Sequence, residues 1–509
     1  MGRARSRWLQ PSYGLLDSRS GEALSSIAGP GKALLPQTDS NIAIPSSGPQ
    51  AARVSFREAF WCWCRVALLS FGGPAGQIAV MHRILVDEKR WVSENRFLHA
   101  LNYCMLLPGP EAQQLAIYIG WLLHRTWGGI VAGTLFVLPG FLSILALSIL
   151  YAGYKELRFV DALFYGLAPA VMAVVVEAVI RIGKRALKNA AMFAVAGVAF
   201  AAIFFFEVPF PLLVLGAALL GLAGAKVWPE RFLVIRLHAA PSGIAQDADG
   251  GLAVSDYGLA HDAPTPARTL GVLAVWLTLW LSPLAVLAAT QGWNSLWVQE
   301  GVFFIKAAVV TFGGAYAVLA YIAQQAVGTY GWLQPGEMLD GLGMAETTPG
   351  PLIQVVQFVG FMGAYRAAEA GQLGELTPMT AGALAAVLTT WVTFTPCFLW
   401  IFLGAPYIER LRGHKPLTAA LSTITAAVVG VILNLAVWFA LHTIFEQVDE
   451  SRTLGMRLLV PVWSTIDFAA LLIAAGAFIA MFIFRTGMII TLAAAVAAGL
   501  VYRLGLTVP

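Results

Sequence analysis

The chain has 509 residues, of which 58% are hydrophobic and 12% are charged, and its formal net charge is +4. The mean hydropathy is +0.74. Because one soluble globule cannot bury so much apolar surface, the chain must face lipid. The composition therefore excludes a soluble domain. Basic residues in cytoplasmic loops account for the small positive charge, which gives no reason to expect a nucleic-acid partner.

The first segment is rich in Gly, Pro, Ser and Arg and contains no apolar run long enough for a signal peptide. It predicts a disordered cytoplasmic tail over residues 1–54. An organelle transit peptide has a similar Arg and Ser bias, but Asp17, Glu22 and Asp39 argue against one.

Nine apolar stretches follow, and most are long enough to cross roughly 30 Å of hydrocarbon as a helix. They lie near 128–152, 160–180, 190–206, 210–225, 270–290, 384–404, 417–444, 466–484 and 486–502. Because they are apolar on every face, they predict an all-α polytopic membrane protein and not an outer-membrane barrel. The polar residues 236–268 predict a cytoplasmic linker. The four cysteines have no metal-ligand spacing, and we expect no metal.

Two short sequence motifs, called words below, each occur twice, 241 positions apart. "SFGGPAGQ" at 70–77 and "TFGGAYAV" at 311–318 share FGG, and "PGP" at 108–110 recurs at 349–351. "LPGFL" at 138–142 and "TPCFL" at 395–399 then match at an offset of 257. The change of offset predicts a 16-residue insertion, "AYRAAEAGQLGELTPM", in the second copy. We interpret residues 55–235 and 296–509 as two homologous halves.

Basic residues predict that the halves are inverted. Two basic clusters of the first half have no counterpart at 324–337 or 438–445 of the second: Arg83, Lys89, Arg90 and Arg96, then Arg181, Lys184, Arg185 and Lys188. Since Lys and Arg favour cytoplasmic loops, the copies have opposite orientations. The apolar segment 269–295 is then one extra transmembrane helix that joins them. A third pair of basic loops, after 154 and after 409, does not distinguish the orientations.

The glycines and prolines of the repeated words predict broken helices at membrane depth. Gly72 and Gly73 permit positive φ, and Pro74 suits the first position of a new helix. Each PGP likewise ends one helix and begins another. Such backbone is tolerated where it is buried in protein or lines a wet cavity. The duplicated words therefore predict a binding site between the repeats, with tight helix packing as the alternative.

A cation stands six positions before each FGG, Arg65 in one half and Lys306 in the other. An intramembrane cation is costly and suggests function, and glycine N–H groups and helix N-termini also favour anions. The predicted oxyanion site comprises these cations and the polar and backbone groups of the words: Arg65, Ser70, Gly72, Gly73, Pro108, Gly109, Gln113, Lys306, Thr311, Gly313, Gly314, Pro349, Gly350 and Gln354. The alternative is that both cations extend to the membrane interface.

Two carboxyls flank the PGP words from opposite sides and have no acidic counterpart in the other copy. They are Glu346 in "AETTPGP" and Glu111 in "PGPEAQQ". Because a low dielectric disfavours the charged form of a carboxyl, either is a candidate for coupling transport to protons. The alternative is a counter-ion for Lys306 or Arg65.

The stretches "SFGGPAGQIAVMHR", "WVSE", "LLPGPEAQQ" and "AETTPGPLIQVVQFVGF" resemble the chromate ion transporter (CHR) family in its long two-domain form. The resemblance covers about residues 56–503. It implies export of chromate, a tetrahedral dianion like sulfate, from the bacterial inner membrane, with chromate resistance as the result. Gln77 stands where the family often has His, and Glu111 replaces the small residue common after PGP.

Outward movement of a dianion across 100 mV, inside negative, is favourable by about 4.6 kcal/mol, so the membrane potential can drive export. No DDxxD, HExxH, GxSxG or Walker word is present, so we expect no enzyme and no cofactor. A channel, and a transporter of sulfate or another oxyanion, remain alternatives. The expected partners are a chromate or sulfate-like oxyanion and the lipid bilayer, with a homodimer left open.

Overall fold

The computed structural model describes residues 54–155, 157–233, 265–312, 314–407, 415–453 and 455–506. Residues 1–53 of the predicted tail and 236–264 of the predicted linker lie outside these ranges. So does Gly313 of the predicted site.

The first half is a series of helices interrupted at both repeated words. The helices are α1 (Phe56–Leu69), α2 (Gly73–His82), α3 (Glu94–Cys104), α4 (Glu111–Tyr154), α5 (Arg158–Ala186), α6 (Ala190–Phe206), α7 (Phe210–Val227) and the short α8 (Pro229–Phe232). A π-helical turn, Arg83–Glu88, extends α2. Helix α4 folds back on itself at His124 and Arg125, where the φ of Arg125 is +54°.

A single helix, α9 (Pro266–Gln291), precedes the second half. The second half contains α10 (Leu296–Val310), α11 (Ala315–Ala323), α12 (Glu337–Thr347), α13 (Val355–Glu369), α14 (Pro378–Gly404), α15 (Lys415–Ile444), α16 (Phe468–Phe478) and α17 (Met488–Leu500). A π-helical turn again extends α11, at Gln324–Thr329. Two further π-helical turns, Ile479–Ile483 and Val501–Leu506, extend α16 and α17.

The element bounds follow the offsets of the sequence repeat. The turns Arg83–Glu88 and Gln324–Thr329 are 241 positions apart at both ends, and α5 and α15 begin 257 positions apart. Between them, the 16 residues 364–379 form the end of α13, a loop and the first residues of α14. The repeat in the sequence is therefore a repeat of helices and breaks.

Within the described residues, seven helices are long and apolar enough to cross a membrane, and two shorter apolar helices accompany them. Together they account for the nine apolar stretches of the sequence. The prediction of an all-α polytopic membrane protein is confirmed. The opposite orientation of the halves stays a prediction.

One element was not predicted. A β-hairpin, β1 (Val448–Thr453) and β2 (Met456–Pro461), lies between α15 and α16, with Val448 opposite Pro461. The guanidinium groups of Arg452 and Arg457 each lie 3.0 Å from the Glu207 carboxylate and attach the hairpin to the turn between α6 and α7. The strand "VDESRT" has one apolar residue, Val448, and no alternation of apolar and polar residues, which is why the sequence pattern did not reveal it.

The repeated segments of the two halves are not equally buried. Every residue of α11 is buried, and so is α12 from Glu337 to Glu346. The first-half counterpart of α11 is less enclosed, since only Gly73, Gln77 and Met81 of α2 are buried. The two copies thus share a backbone plan and differ in their surroundings.

Candidate functional site

The repeated words of the two halves meet each other directly. The Gly109 N–H donates to the Thr311 carbonyl at 2.8 Å, and the Gly350 N–H donates to the Ser70 carbonyl at 2.9 Å. Because Gly109 and Gly350, and Ser70 and Thr311, are each 241 positions apart, the two bonds are equivalent. The PGP of each half is therefore bonded to the FGG word of the other.

The glycines of the words have the positive φ that the sequence predicts. The φ angle is +82° at Gly72, +68° at Gly73, +113° at Gly109, +109° at Gly314 and +110° at Gly350. The backbones are also closely packed, because a Cβ on Gly350 would lie 3.0 Å from the Cα of Gly140. Gly140 also packs against the residue before Gly350, since a Cβ on Gly140 would lie 2.8 Å from the Pro349 carbonyl oxygen.

The hydroxyl groups of the words are occupied within their own helices. Ser70 Oγ donates to the Val66 carbonyl and Thr311 Oγ1 to the Ala307 carbonyl, both at 2.6 Å. Both side chains are buried. The structure thus uses these hydroxyl hydrogens to cap α1 and α10, which leaves only their oxygens for other contacts.

The two predicted glutamines differ. Gln113 is buried, and neither amide atom has a hydrogen-bond partner among the described residues. Gln354 donates to Gln357 Oε1 at 2.5 Å and to Thr390 Oγ1 at 3.1 Å. The Pro108 carbonyl accepts a bond from Gln114 at 2.7 Å. Gln113 is thus the glutamine of the pair with a free donor.

The structure does not bring Arg65 and Lys306 to the meeting point of the words. Arg65 Nη1 lies 2.7 Å from Glu88 Oε2, and half of its side chain is exposed. A parallel pair joins Lys89 to Glu58 at 2.9 Å, and this hydrogen bond raises the pKa of Lys89. Lys306 is exposed on α10. The positions of both cations match the alternative in which they extend outward.

A cavity of about 180 Å³ lies where the starts of α2 and α11 converge. Its wall includes Pro74 and Ala75 from the first word and Gly314, Ala315 and Tyr316 from the second. The end of α5 contributes two arginines, the start of α4 one carboxyl, and α15 two hydroxyls: Arg181, Arg185, Glu111, Thr418 and Thr425. We call this space the basic cavity. Both arginines are exposed, so the cavity reaches the surface.

The lining of the basic cavity carries a net positive charge, which favours an anion. Two arginines and the half-buried Glu111 give a formal charge of +1, the N-termini of α2 and α11 each add about +0.5, and the C-terminus of α5 contributes about −0.5. Arg181 also lies 3.5 Å from Glu177, which does not line the cavity. Sequence reasoning used Arg181 and Arg185 only to orient the loops, because nothing in the local sequence shows that the end of α5 packs beside the repeated words.

The side chain of Tyr316 separates Glu346 from the basic cavity. The hydroxyl of Tyr316, which lines the cavity, donates to Glu346 Oε1. Glu346 is buried, and its Oε2 has no hydrogen-bond partner among the described residues. Glu111, in contrast, lines the cavity itself beside the arginines. The two predicted carboxyls are therefore both near this cavity, at different depths.

A second cavity, of about 280 Å³, is lined by Lys155, Asp161, Glu337 and Asp340. We call it the acidic cavity. Asp161 and Arg181 are 20 residues apart on α5, which places the two cavities about 30 Å apart, close to the thickness of the hydrocarbon core. At the acidic end the halves are joined, because Lys155 Nζ lies 3.3 Å from Glu337 Oε1. Tyr151 also donates to Asp340 at 2.7 Å.

Known proteins resemble this chain over most of its length. The profile of the family described as "Chromate transporter" matches residues 57–222 and 298–500. The chromate transport protein of Pseudomonas aeruginosa is 32% identical, over 80% of this chain and 85% of its own. That of Cupriavidus metallidurans is 28% identical, over 78% and 85%. A probable chromate transport protein of Synechococcus elongatus is 26% identical, over 80% and 90%. No solved structure matches.

Proposed function

The chain belongs to the chromate transporter family, and from that premise we propose that it is a secondary transporter that exports chromate across the bacterial inner membrane and so confers chromate resistance. The observation that supports this most is the basic cavity, where Arg181 and Arg185 converge with the helix starts of both repeated words. Chromate is a tetrahedral dianion, and the lining of the cavity carries a net positive charge.

In this proposal Arg181 and Arg185 take the role that the sequence pattern suggested for Arg65 and Lys306. A guanidinium presents a planar fork of donors and can bind two oxygens of one anion. Thr418 and Thr425 add hydroxyl groups to the cavity wall. The free amide of Gln113 and the glycines of both words complete the proposed path between the halves.

The direction of transport is proposed from the position of the cavity and from energetics. The arginines belong to the basic cluster that the positive-inside bias assigns to the cytoplasm, so chromate enters the cavity from that side. Export down a potential of 100 mV is favourable by about 4.6 kcal/mol. Because the arginines partly neutralise bound chromate, the potential then acts mainly on the return of the empty carrier.

The test uses everted membrane vesicles, in which export appears as uptake of labelled chromate. Arg181→Gln and Arg185→Gln should each weaken chromate affinity about tenfold or more, since a hydrogen bond to a charged group contributes about 1.5–3 kcal/mol. Arg65→Gln is the matched control with the same change of charge outside the cavity. Loss of transport in Arg65→Gln with normal transport in both cavity variants would reject the basic cavity as the site.

The same vesicles separate the remaining possibilities. Collapse of the potential with valinomycin and potassium should slow uptake, and uptake indifferent to the potential would reject an electrogenic cycle. Unlabelled sulfate tests the runner-up substrate, because its shape and charge match chromate. Competition by sulfate as strong as that by the same concentration of unlabelled chromate would favour a general oxyanion transporter. Uptake that never saturates with chromate would favour a channel.

A further inference from the structure

Glu300 is a buried carboxyl that the proposed transport path does not use. It lies near the start of α10, and none of its surface is exposed. Neither Oε1 nor Oε2 has a hydrogen-bond partner among the described residues. The residue 241 positions earlier is Ala59, so the second half carries a carboxyl where the first carries a methyl group.

The protein makes room for this carboxyl. A Cβ on Gly363 of α13 would lie 2.8 Å from Glu300 Oε1 and 3.0 Å from Trp332 Cγ. The residue 241 positions before Gly363 is Leu122. The larger side chain at position 300 is thus matched by the loss of a side chain at position 363. This exchange of volume indicates that the carboxyl occupies a built space and is not a packing accident.

The charges around Glu300 belong to other groups. The elements packed against α10 are α9, α11, α13, α14 and the turn that carries Tyr330 and Trp332. Their ionisable residues are Arg268, Tyr316, Tyr321, Tyr330, Tyr365, Arg366, Glu369 and Cys397. None of them bonds to Glu300. Arg366, one turn beyond Gly363, instead donates to the Trp332 carbonyl at 2.8 Å and to Glu337 at 2.7 Å.

An isolated carboxylate in such a place is very costly, whereas a neutral carboxylic acid is not. A metal cation would need several oxygen ligands, and the described residues contain no group of three or more His, Cys, Asp or Glu that could hold one. One proton from solvent, bound to one carboxylate oxygen, removes the charge. The chemistry of the site therefore favours a proton.

We propose that Glu300 is a proton-binding site linked to the closure of the acidic cavity. While Glu300 is neutral, Arg366 stays with Glu337, which also holds Lys155 of the first half. When Glu300 loses its proton, its carboxylate competes for Arg366, the cation on the neighbouring helix. Glu337 is then paired with Lys155 alone and no longer with Arg366 as well. Burial of the Glu337 carboxylate is therefore less favourable, and the acidic cavity opens more readily.

The first arm of the test asks whether the proton is there. In infrared spectra of the purified protein at neutral pH, a neutral carboxyl gives a carbonyl stretching band that shifts in heavy water. Glu300→Gln should remove one such band. Glu58→Gln, at an exposed carboxyl paired with Lys89, is the control and should remove none. Identical bands in wild type and Glu300→Gln would overturn the proposal, and this result does not depend on whether chromate is transported.

The second arm asks whether the proton controls the acidic cavity. Asp161 lines this cavity, and 47% of its side chain is exposed. An Asp161→Cys variant, with the four native cysteines replaced, should react faster with a membrane-impermeant maleimide as pH rises, after correction for thiol reactivity measured on the unfolded protein. Adding Glu300→Gln should abolish this rise. A rise that survives in Glu300→Gln, or one that follows sodium concentration in place of pH, would overturn the link.

Discussion

The two halves of the protein have the same backbone plan at the repeated words and opposite chemistry around them. Each PGP is bonded to the FGG word of the other half by an equivalent hydrogen bond. The buried acids of the second half, however, stand where the first half has other residues: Glu300 against Ala59, Glu337 against Arg96, Asp340 against His99 and Glu346 against Met105.

The cations show the reverse asymmetry. Arg181 and Arg185 of α5 correspond, at the offset of 257, to Trp438 and His442 of α15. The first half thus supplies the positive charges of the basic cavity, and the second half supplies buried carboxyls. The comparison shows that the backbone follows the repeat, whereas the charged side chains do not. In the proposed transport cycle the backbone adopts two equivalent arrangements, whereas the proposed anion binding and proton binding each need only one set of groups.

The largest effect should come from breaking the shared backbone contact. In Gly350→Ala the new Cβ would meet the Gly140 backbone at 3.0 Å at a φ of +110°, so overpacking and backbone strain together should cost roughly 2 to 5 kcal/mol. Gly109→Ala should cost less, because its new neighbours are the side chains of Gln114 and Cys397, at 3.0 and 3.1 Å. The measurement is the melting temperature in detergent.

Gly314→Ala is the control for strain without contact, since nothing lies within 4 Å of its Cβ at a φ of +109°. It should lower the free energy of unfolding by about 1 to 3 kcal/mol, because φ +109° and ψ 160° lie in a region that is essentially confined to glycine. Equal melting temperatures for the Gly350 and Gly314 variants would show that the contact with Gly140 contributes nothing.

The next effect concerns the chemical asymmetry. Glu346→Gln should remove the response of chromate transport to a pH gradient imposed at a clamped potential, because an amide cannot exchange the proton that a carboxyl can. Transport driven by the potential should persist. Tyr316→Phe, which removes the hydroxyl that bonds to Glu346, should alter the pH response without abolishing it. An unchanged pH response in Glu346→Gln would show that Glu346 does not couple transport to protons.

A smaller effect is expected where one half has a bond that the other lacks. Gln77 Nε2 donates to the Gly350 carbonyl at 2.5 Å, and the residue 241 positions later is Val318. Gln77→Val, which makes the halves alike, should cost about 1 to 2 kcal/mol by leaving a buried acceptor without this donor. Gln77→His should retain most of the stability, because the ring can donate. A melting temperature equal to wild type in Gln77→Val would show that the bond is not stabilising.

The smallest effect is expected at Lys306. Its side chain is exposed and does not line the basic cavity, so Lys306→Gln should change stability by less than about 0.5 kcal/mol and leave chromate affinity unchanged. The check is a chromate saturation curve beside that of Arg181→Gln. A loss of affinity in Lys306→Gln as large as that in Arg181→Gln would restore the site suggested by the sequence pattern.

The sequence by itself determined the membrane class, the repeat and the breaks in the helices. These follow from local chemistry: apolar runs must face lipid, Gly permits positive φ, and Pro begins a helix but cannot continue one. The equal offsets between the copies needed only arithmetic. The hairpin of residues 448–461 was missed because neither of its strands alternates polar and apolar residues.

Only the tertiary structure decided which charged groups meet. Arg65 and Arg181 are both exposed and both pair with a glutamate, Glu88 and Glu177 respectively. Arg181 lines the cavity between the words, and Arg65 does not. Glu300 gave no signal because its isolation depends on Gly363, 63 positions away. Burial and pairing of a charge depend on contacts between distant segments, and a charged residue's sequence neighbours do not reveal those contacts.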